Sequence, residues 1–233
     1  MDDFEPTALC ADAIVLVPNA CRDSQIDKGL SKFGGNPDLP EDFKLNFDYQ
    51  YFVGQINFAQ INGRGNFQLL PQVGILSIFL SLSPDQSCIA KVKYLASTDS
   101  LQRILLPPKK HPCHPCRLTP YPMQSMSAHD AANDDYMRYQ NQFLQRFYPH
   151  KQKLDFDTPW HQMLGFSRNN ARSEQKPETH RDRILLLQVD SDSLVSMSWG
   201  YNGNLYFWIS QSDLEAKNFA NVEVELAEAQ KVF

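Results

Sequence analysis

The sequence has no uninterrupted apolar run near the ~18–20 residues that a membrane-spanning helix needs. Its apolar runs, such as 13–17 and 184–187, stop at strand length, so no membrane helix is expected. The first residues include Asp2, Asp3 and Glu5 where a secretory leader carries basic residues, and no long apolar segment follows. A cytoplasmic chain is expected. Cysteine is scarce, with five residues at 10, 21, 88, 113 and 116; an odd, uneven set suits reduced thiols better than a disulfide framework. Basic charge is not in excess. The 22 Lys and Arg stand against 27 Asp and Glu, a net charge of −5, which argues against a general nucleic-acid binder because polyphosphate would be repelled on average. Several chemistries lack their motifs as well: there is no Gly-x-Ser-x-Gly elbow, no phosphate loop, no dinucleotide fingerprint and no His-Glu-x-x-His.

What is present is an ordinary globular mixture, 233 residues with 42% apolar and 21% charged types, enough to bury a sizeable core. The charge is uneven along the chain. Residues 1–50 hold ten acids against four bases, whereas residues 51–126 hold seven bases against two acids. Either the two blocks face each other in the fold, or the acidic block stays free to steer a basic partner.

Periodicity points mainly to short strands. Residues 73–82 are apolar and strand-length, and the alternation of Ala90, Val92 and Tyr94 with Lys91 and Lys93 predicts the second arm of a hairpin. Val222, Val224 and Leu226 alternate with Glu223 and Glu225, which predicts a strand with one wet face. Tyr136, Tyr139, Phe143, Leu144 and Phe147 fall at helical spacing within 128–147, ahead of Pro149. A short helix is expected to begin near Ser210 or Ser212, with Asp213 in its first turn. The polar stretch 167–182 predicts an exposed loop. The six prolines within 107–122 predict an irregular segment, because each removes a backbone donor.

Three landmarks recur. Phe33-Gly34-Gly35, Gln55 and Gly74 are matched by Leu164-Gly165, Gln188 and Gly203 at offsets of 130, 133 and 129 residues. The spacing predicts an internally duplicated α+β domain of mostly antiparallel sheets with a few flanking helices. A single domain over 1–233 is expected, with lobe one at about 30–106, a proline-rich and helical connector at about 107–150, and lobe two at about 155–226.

The segments Ser31-Lys32-Phe33-Gly34-Gly35-Asn36-Pro37-Asp38-Leu39-Pro40, the Gln55 strand, His161-Gln162-Met163-Leu164-Gly165, the 185–191 strand, and Trp199-Gly200 with Gly203-Asn204-Leu205-Tyr206-Phe207-Trp208-Ile209 together resemble the YwqG-like family of bacterial domains of unknown function. The resemblance spans roughly residues 30–226. It implies a single α+β domain with duplicated sheets and no established activity or cofactor. Members occur beside genes for bacterial polymorphic toxins, a setting similar to that of immunity proteins. Two departures stand out. The family's Trp-Gly-Asp-x-Gly has Tyr201 in place of the Asp, and the Trp-Pro that often follows the first motif is absent. A neutral aromatic suits contact rather than proton transfer.

Several residue groups are candidates for function. His111, Cys113, His114 and Cys116 form a His-Pro-Cys-His-Pro-Cys run that offers half of a zinc site, a redox dithiol, or merely an exposed proline turn with free thiols. Asp190 and Asp192 with Ser191 and Ser193 form an acidic turn that would either bind a cation or cap nearby backbone as a solvated turn. Gln55 and Gln188 sit inside apolar strands and must find partners there; they either tie backbone together across the lobe interface or, with His161, line a cleft between lobes. Trp199 and Tyr201 share one face of an extended segment and Tyr206 and Trp208 another, and at least one set is expected in the core. An exposed Tyr201 would anchor a protein partner, with Trp199, Asp190 and Asp192 beside it. The reading that follows is a cytoplasmic protein-binding protein with no catalytic residues and no required cofactor, an immunity protein that occludes a cognate toxin. The competing reading is a small-ligand binder or enzyme using the cleft.

Overall fold

The structure, a computed structural model, describes residues 10–43, 51–65, 67–82, 88–107, 113–127, 133–154, 158–168, 183–200 and 203–227. The strands in chain order are β1 (Cys10–Ala20), β2 (Lys32–Phe33), β3 (Asp38–Pro40), β4 (Tyr51–Asn57), β5 (Ile75–Leu82), β6 (Cys88–Leu95), β7 (Leu101–Arg103), β8 (Cys116–Met126), β9 (Gln162–Met163), β10 (Arg183–Asp190), β11 (Asn204–Ser210) and β12 (Glu223–Ala227). Three α-helices accompany them among the described residues: α1 (Phe58–Asn62), α2 (Asn133–Phe147) and α3 (Gln211–Glu215). Ten strands form one sheet in the order β12-β11-β10-β9-β1-β8-β2-β4-β5-β6, and β3 pairs separately with β7. Every neighbouring pair is antiparallel. The large sheet curls until its edge strands β6 and β12 touch, which makes a nearly closed, barrel-like body.

The curl follows from which faces are apolar. Phe33, Val53, Ile56, Leu76 and Ile78 share one buried cluster with Leu186, Val189, Leu205 and Phe207, so the two wings of the sheet enclose a common interior. The central strand β1 is buried on both sides. Ile14 and Leu16 face that interior, whereas Val15 packs with Tyr139, Phe143 and Trp160 beneath α2. Burial on both faces is why 13–17 reads as a continuous apolar run rather than an alternation. The Phe143 ring stacks on Trp160 at 3.4 Å and 4°, seating α2 against the outside of the sheet.

Local signals account for the element ends. Ser210 caps α3, its hydroxyl accepting the Asp213 N–H at 3.1 Å. The 73–82 expectation appears as β5, paired with β6 so that Ile78 faces Val92. The 222–226 alternation is β12. The helix expected over 128–147 is described from Asn133 onward. Of the loop expected at 167–182, residues 169–182 lie outside the described residues.

One expectation is overturned. The proline-rich segment is not irregular throughout, because Pro120 and Pro122 lie inside β8, an eleven-residue strand fully paired with β1. The Leu118 N–H donates to Ser31 O at 3.0 Å, so amides at 118, 120 and 122 point away from β1. β2 bonds β8 only at Cys116 and Arg117. The two prolines therefore occupy positions where no ladder donor is needed. The sheet centre, β1 and β8, also lies outside both lobes as bounded from the sequence.

The pairing pattern repeats on either side of the facing pair Val17 and Thr119. β9 meets β1 at Met163–Ile14 and Gln162–Val15, and β2 meets β8 at Phe33–Cys116 and Lys32–Arg117. Lys32 pairs with Gln55 as Gln162 pairs with Gln188, and β4 and β10 are each bulged, at Phe52/Gly54 and Leu185/Leu187. After each short strand come two residues of positive φ: 61° and 69° at Gly34 and Gly35, 58° and 69° at Leu164 and Gly165.

Candidate functional site

Each wing carries a loop folded over its glutamine strand, and the loops bury most of the notable polar residues. In the first wing Asp38 is the hub. Its backbone N–H donates to Gln55 Oε1 at 3.0 Å, and its Oδ2 accepts from Gly29 N–H at 3.0 Å and Gln55 Nε2 at 2.9 Å. Arg103, at the end of β7, donates from Nε to Asp38 Oδ1 at 2.8 Å and from Nη2 to Asp38 Oδ2 at 3.2 Å. Lys32 Nζ lies 3.1 Å from Asp23 Oδ1 and 3.5 Å from Asp38 Oδ2, and donates to the Asn36 carbonyl. Burial pulls the Lys32 ammonium below its ordinary pKa against the attraction of both aspartates. For Asp38, burial pushes upward, but the Arg103 hydrogen bonds and the Lys32 charge outweigh it and hold the carboxyl low. Two anions against two cations leave the cluster neutral, the condition under which buried charge is tolerated. Arg103 comes from the basic block and Asp23 and Asp38 from the acidic one, so the blocks do face each other here.

In the second wing Asp190 accepts from Gln188 Nε2 at 2.7 Å, from Trp160 N–H at 2.9 Å and from Arg168 Nη1 at 3.4 Å. Gln188 also donates to Trp160 O at 3.0 Å and accepts the Arg168 N–H at 3.1 Å. Burial raises the Asp190 pKa, with Arg168 and His161 opposing. His161 lies between the two aspartates. Its Nδ1 is 3.2 Å from the Asp190 N–H and so accepts, which leaves Nε2 as the donor to Asp192 Oδ2 at 3.1 Å. The Asp192 Oδ1 accepts the Leu194 N–H at 2.8 Å. The Phe33 ring meets the His161 edge at 5.0 Å, which joins the two wings at this point.

These bonds decide where the expected site residues stand. Gln55, Gln188 and His161 are buried, and the two glutamines tie loops within their own wings rather than across them. Asp190, Asp192 and Trp199 are 3%, 4% and 3% exposed, so they are turned inward and are neither a solvated turn nor a surface for a partner. Tyr201 lies outside the described residues, as does His111. Cys113 and Cys116 are free thiols, but they are buried in the main core rather than exposed on a turn, and burial pushes both up to about 12. His114 Nδ1 is 3.1 Å from Ser196 Oγ at the surface. Among the described residues no group of three or more His, Cys, Asp or Glu converges on a point where a metal would sit.

The open surface lies elsewhere. A depression of about 540 Å³ runs between the 67–69 loop, the turn after β9 and the start of β10, with Phe67, Leu69, Phe166, Ile184, Leu185 and Trp208 among its walls. A second of about 540 Å³ adjoins it and shares Asp12 and Phe67; Pro122, Gln142 and Arg146 stand on its far side.

The family described as a domain of unknown function (DUF1963) matches residues 31–227. The chain belongs to that family. No curated protein matches it. The DUF1963 match takes in both buried clusters except Asp23 and Gly29 of the first, and it begins after β1, the strand at the centre of the sheet.

Within this DUF1963 domain, two groups of largely buried polar residues have no clear signature in the sequence. Arg168 stands in the polar stretch that predicts an exposed loop, yet it reaches Asp190 and the Thr158 carbonyl. Lys32, Asp38 and Arg103 share no local pattern; the hint in the sequence is a Lys and an Asp in the glycine-containing segment 31–40. The groove residues carried no distinguishing signal, since Leu69 and Phe67 resemble core residues in composition. No helix among the described residues is long and apolar enough to cross a membrane.

Proposed function

We propose that this DUF1963 domain is a non-catalytic protein-binding domain of the bacterial cytoplasm, an immunity protein that neutralises a cognate toxin by occluding it. The observation that carries the reading is the disposition of the polar groups. Asp23, Lys32, Asp38, Arg103, His161, Asp190 and Asp192 are bonded to one another or to loop backbone, while the open groove is walled mainly by apolar side chains, with Asp12, Gln68 and Arg183 among them. Groups spent on holding loops are poorly placed for proton transfer, and an apolar depression favours a complementary surface. The repeated pairings around Val17 and Thr119 support an internal duplication, in which the matched polar residues are scaffold in both halves. The resemblance to YwqG-like domains supplies the toxin as the partner.

The test is co-expression with the product of the neighbouring gene. A stoichiometric complex on size-exclusion chromatography and rescued growth are expected; neither binding nor protection would end the toxin reading. A second reading has one observation behind it: about 540 Å³ lies within the range of small-molecule pockets, and a ligand there would raise the melting temperature without any protein partner.

A further inference from the structure

We propose that the two depressions flanking Phe67 form one docking groove for an extended peptide segment of the partner, with a large apolar side chain at one end and a carboxylate a few residues away. This rests on the protein-binding reading above. The depressions share Asp12 and Phe67, so they lie side by side at the Phe67 ring. At the first end Leu69 is 44% exposed on the rim, and Trp208 forms part of the wall. The Trp208 Nε1–H is buried without an acceptor among the described residues. Trp160 and Trp199 share that lack, but only Trp208 lines the groove. An apolar side chain entering here covers Leu69 and packs on the wall that Trp208 helps to form.

Charge sets the other end. Arg183, at the apolar end, is already neutralised by Glu223 at 2.7 Å. Arg146, at the far end, has no carboxylate partner among the described residues, and its guanidinium lies over the Phe147 and Tyr121 rings at 5.3 and 5.8 Å. Stacking holds the fork in place, so an arriving carboxylate orders little that is not already ordered. Asp12 stands between the two ends, bonded to Gln124. It accepts a backbone N–H and repels a carboxylate next to it, which requires the acid of the peptide to lie beyond it, over Arg146.

Fluorescence polarisation on the full chain tests this with a fluorescein-labelled peptide Gly-Phe-Gly-Ser-Glu-Gly and two relatives, one with Lys for its Glu and one with Ala for its Phe. Saturable binding of the first is expected, with each change weakening it about tenfold. Arg146→Glu should reverse the order of the Glu and Lys peptides, a readout that mere loss of packing would not produce, and Leu69→Asp should weaken both. Both residues are exposed, so unchanged thermal melts are expected for these variants. No saturable binding up to about 1 mM, equal binding of the Lys peptide, or an unmoved Kd in Arg146→Glu would overturn the proposal. A toxin complex that forms and survives both substitutions would sink the groove and leave the protein-binding reading standing. Charge-reversible peptide binding with no complex on co-expression would do the opposite.

Discussion

Gln55 and Gln188 hold their loops by the same three hydrogen bonds. Each Oε1 accepts a loop N–H, from Asp38 or Arg168, and each Nε2 donates both to a loop carbonyl, Leu30 or Trp160, and to a carboxylate, Asp38 or Asp190. Replacing either by Leu strands a buried N–H and a buried carbonyl. Losses of about 2–4 kcal/mol are expected for Gln55→Leu and Gln188→Leu alike, measured by urea unfolding. A large loss in one and none in the other would show that the two loops are not held in the same way.

Asp38 and Asp190 should tilt the pH profile of stability in opposite directions. The Asp38 carboxyl is held below its ordinary range, so its contribution is complete above the unfolded-state pKa and is lost as pH falls through the folded one. The Asp190 carboxyl is raised, so stability falls as pH rises from the unfolded-state pKa toward the folded one. The gap between the native protein and Asp38→Asn should therefore be widest at neutral pH, and that for Asp190→Asn widest in acid. Denaturant midpoints between pH 3 and 8 check both.

Cys113 and Cys116 should resist alkylation. With both thiols pushed up to about 12 and shielded in the core, little thiolate forms at pH 8. Iodoacetamide labelling read by mass spectrometry should leave them intact in the native protein and modify them in urea. Rapid native labelling would place them nearer the surface.

Backbone conformation gives a pair of predictions with opposite signs. A Cβ on Gly35, at φ +69°, would lie 2.7 Å from Asp23 Oδ1, so Gly35→Ala should destabilise by more than about 2 kcal/mol. Lys217 holds φ 56° just past the end of α3, is exposed, and bonds back to Leu214 O. Lys217→Gly should stabilise by about 1 kcal/mol. Thermal melts followed by circular dichroism decide both.

Features set by neighbours in sequence were readable before the structure. Ser210 with Asp213 marks a helix start because the cap bond spans three residues. The 222–226 alternation marks a strand because only one face is wet. Strand β8 was hidden because Pro120 and Pro122 break a ladder only when the missing amide faces the partner, and that depends on register with β1 and β2. The Asp38–Arg103 pair spans 65 residues, and no local pattern announces a partner at that distance. The groove was beyond reach for the same reason: its walls come from the ends of several strands and from a loop, each of which looks like ordinary core on its own.

The meeting of β6 with β12 restricts how anything can attach. An open sheet offers a rim of unpaired amides and carbonyls on which a foreign segment can lengthen the ladder. Here the two outermost rims lie against each other, which leaves less of the large sheet's ladder open to a foreign segment. The folded chain should accordingly be slow to seed sheet-on-sheet association with its own copies through β6 or β12.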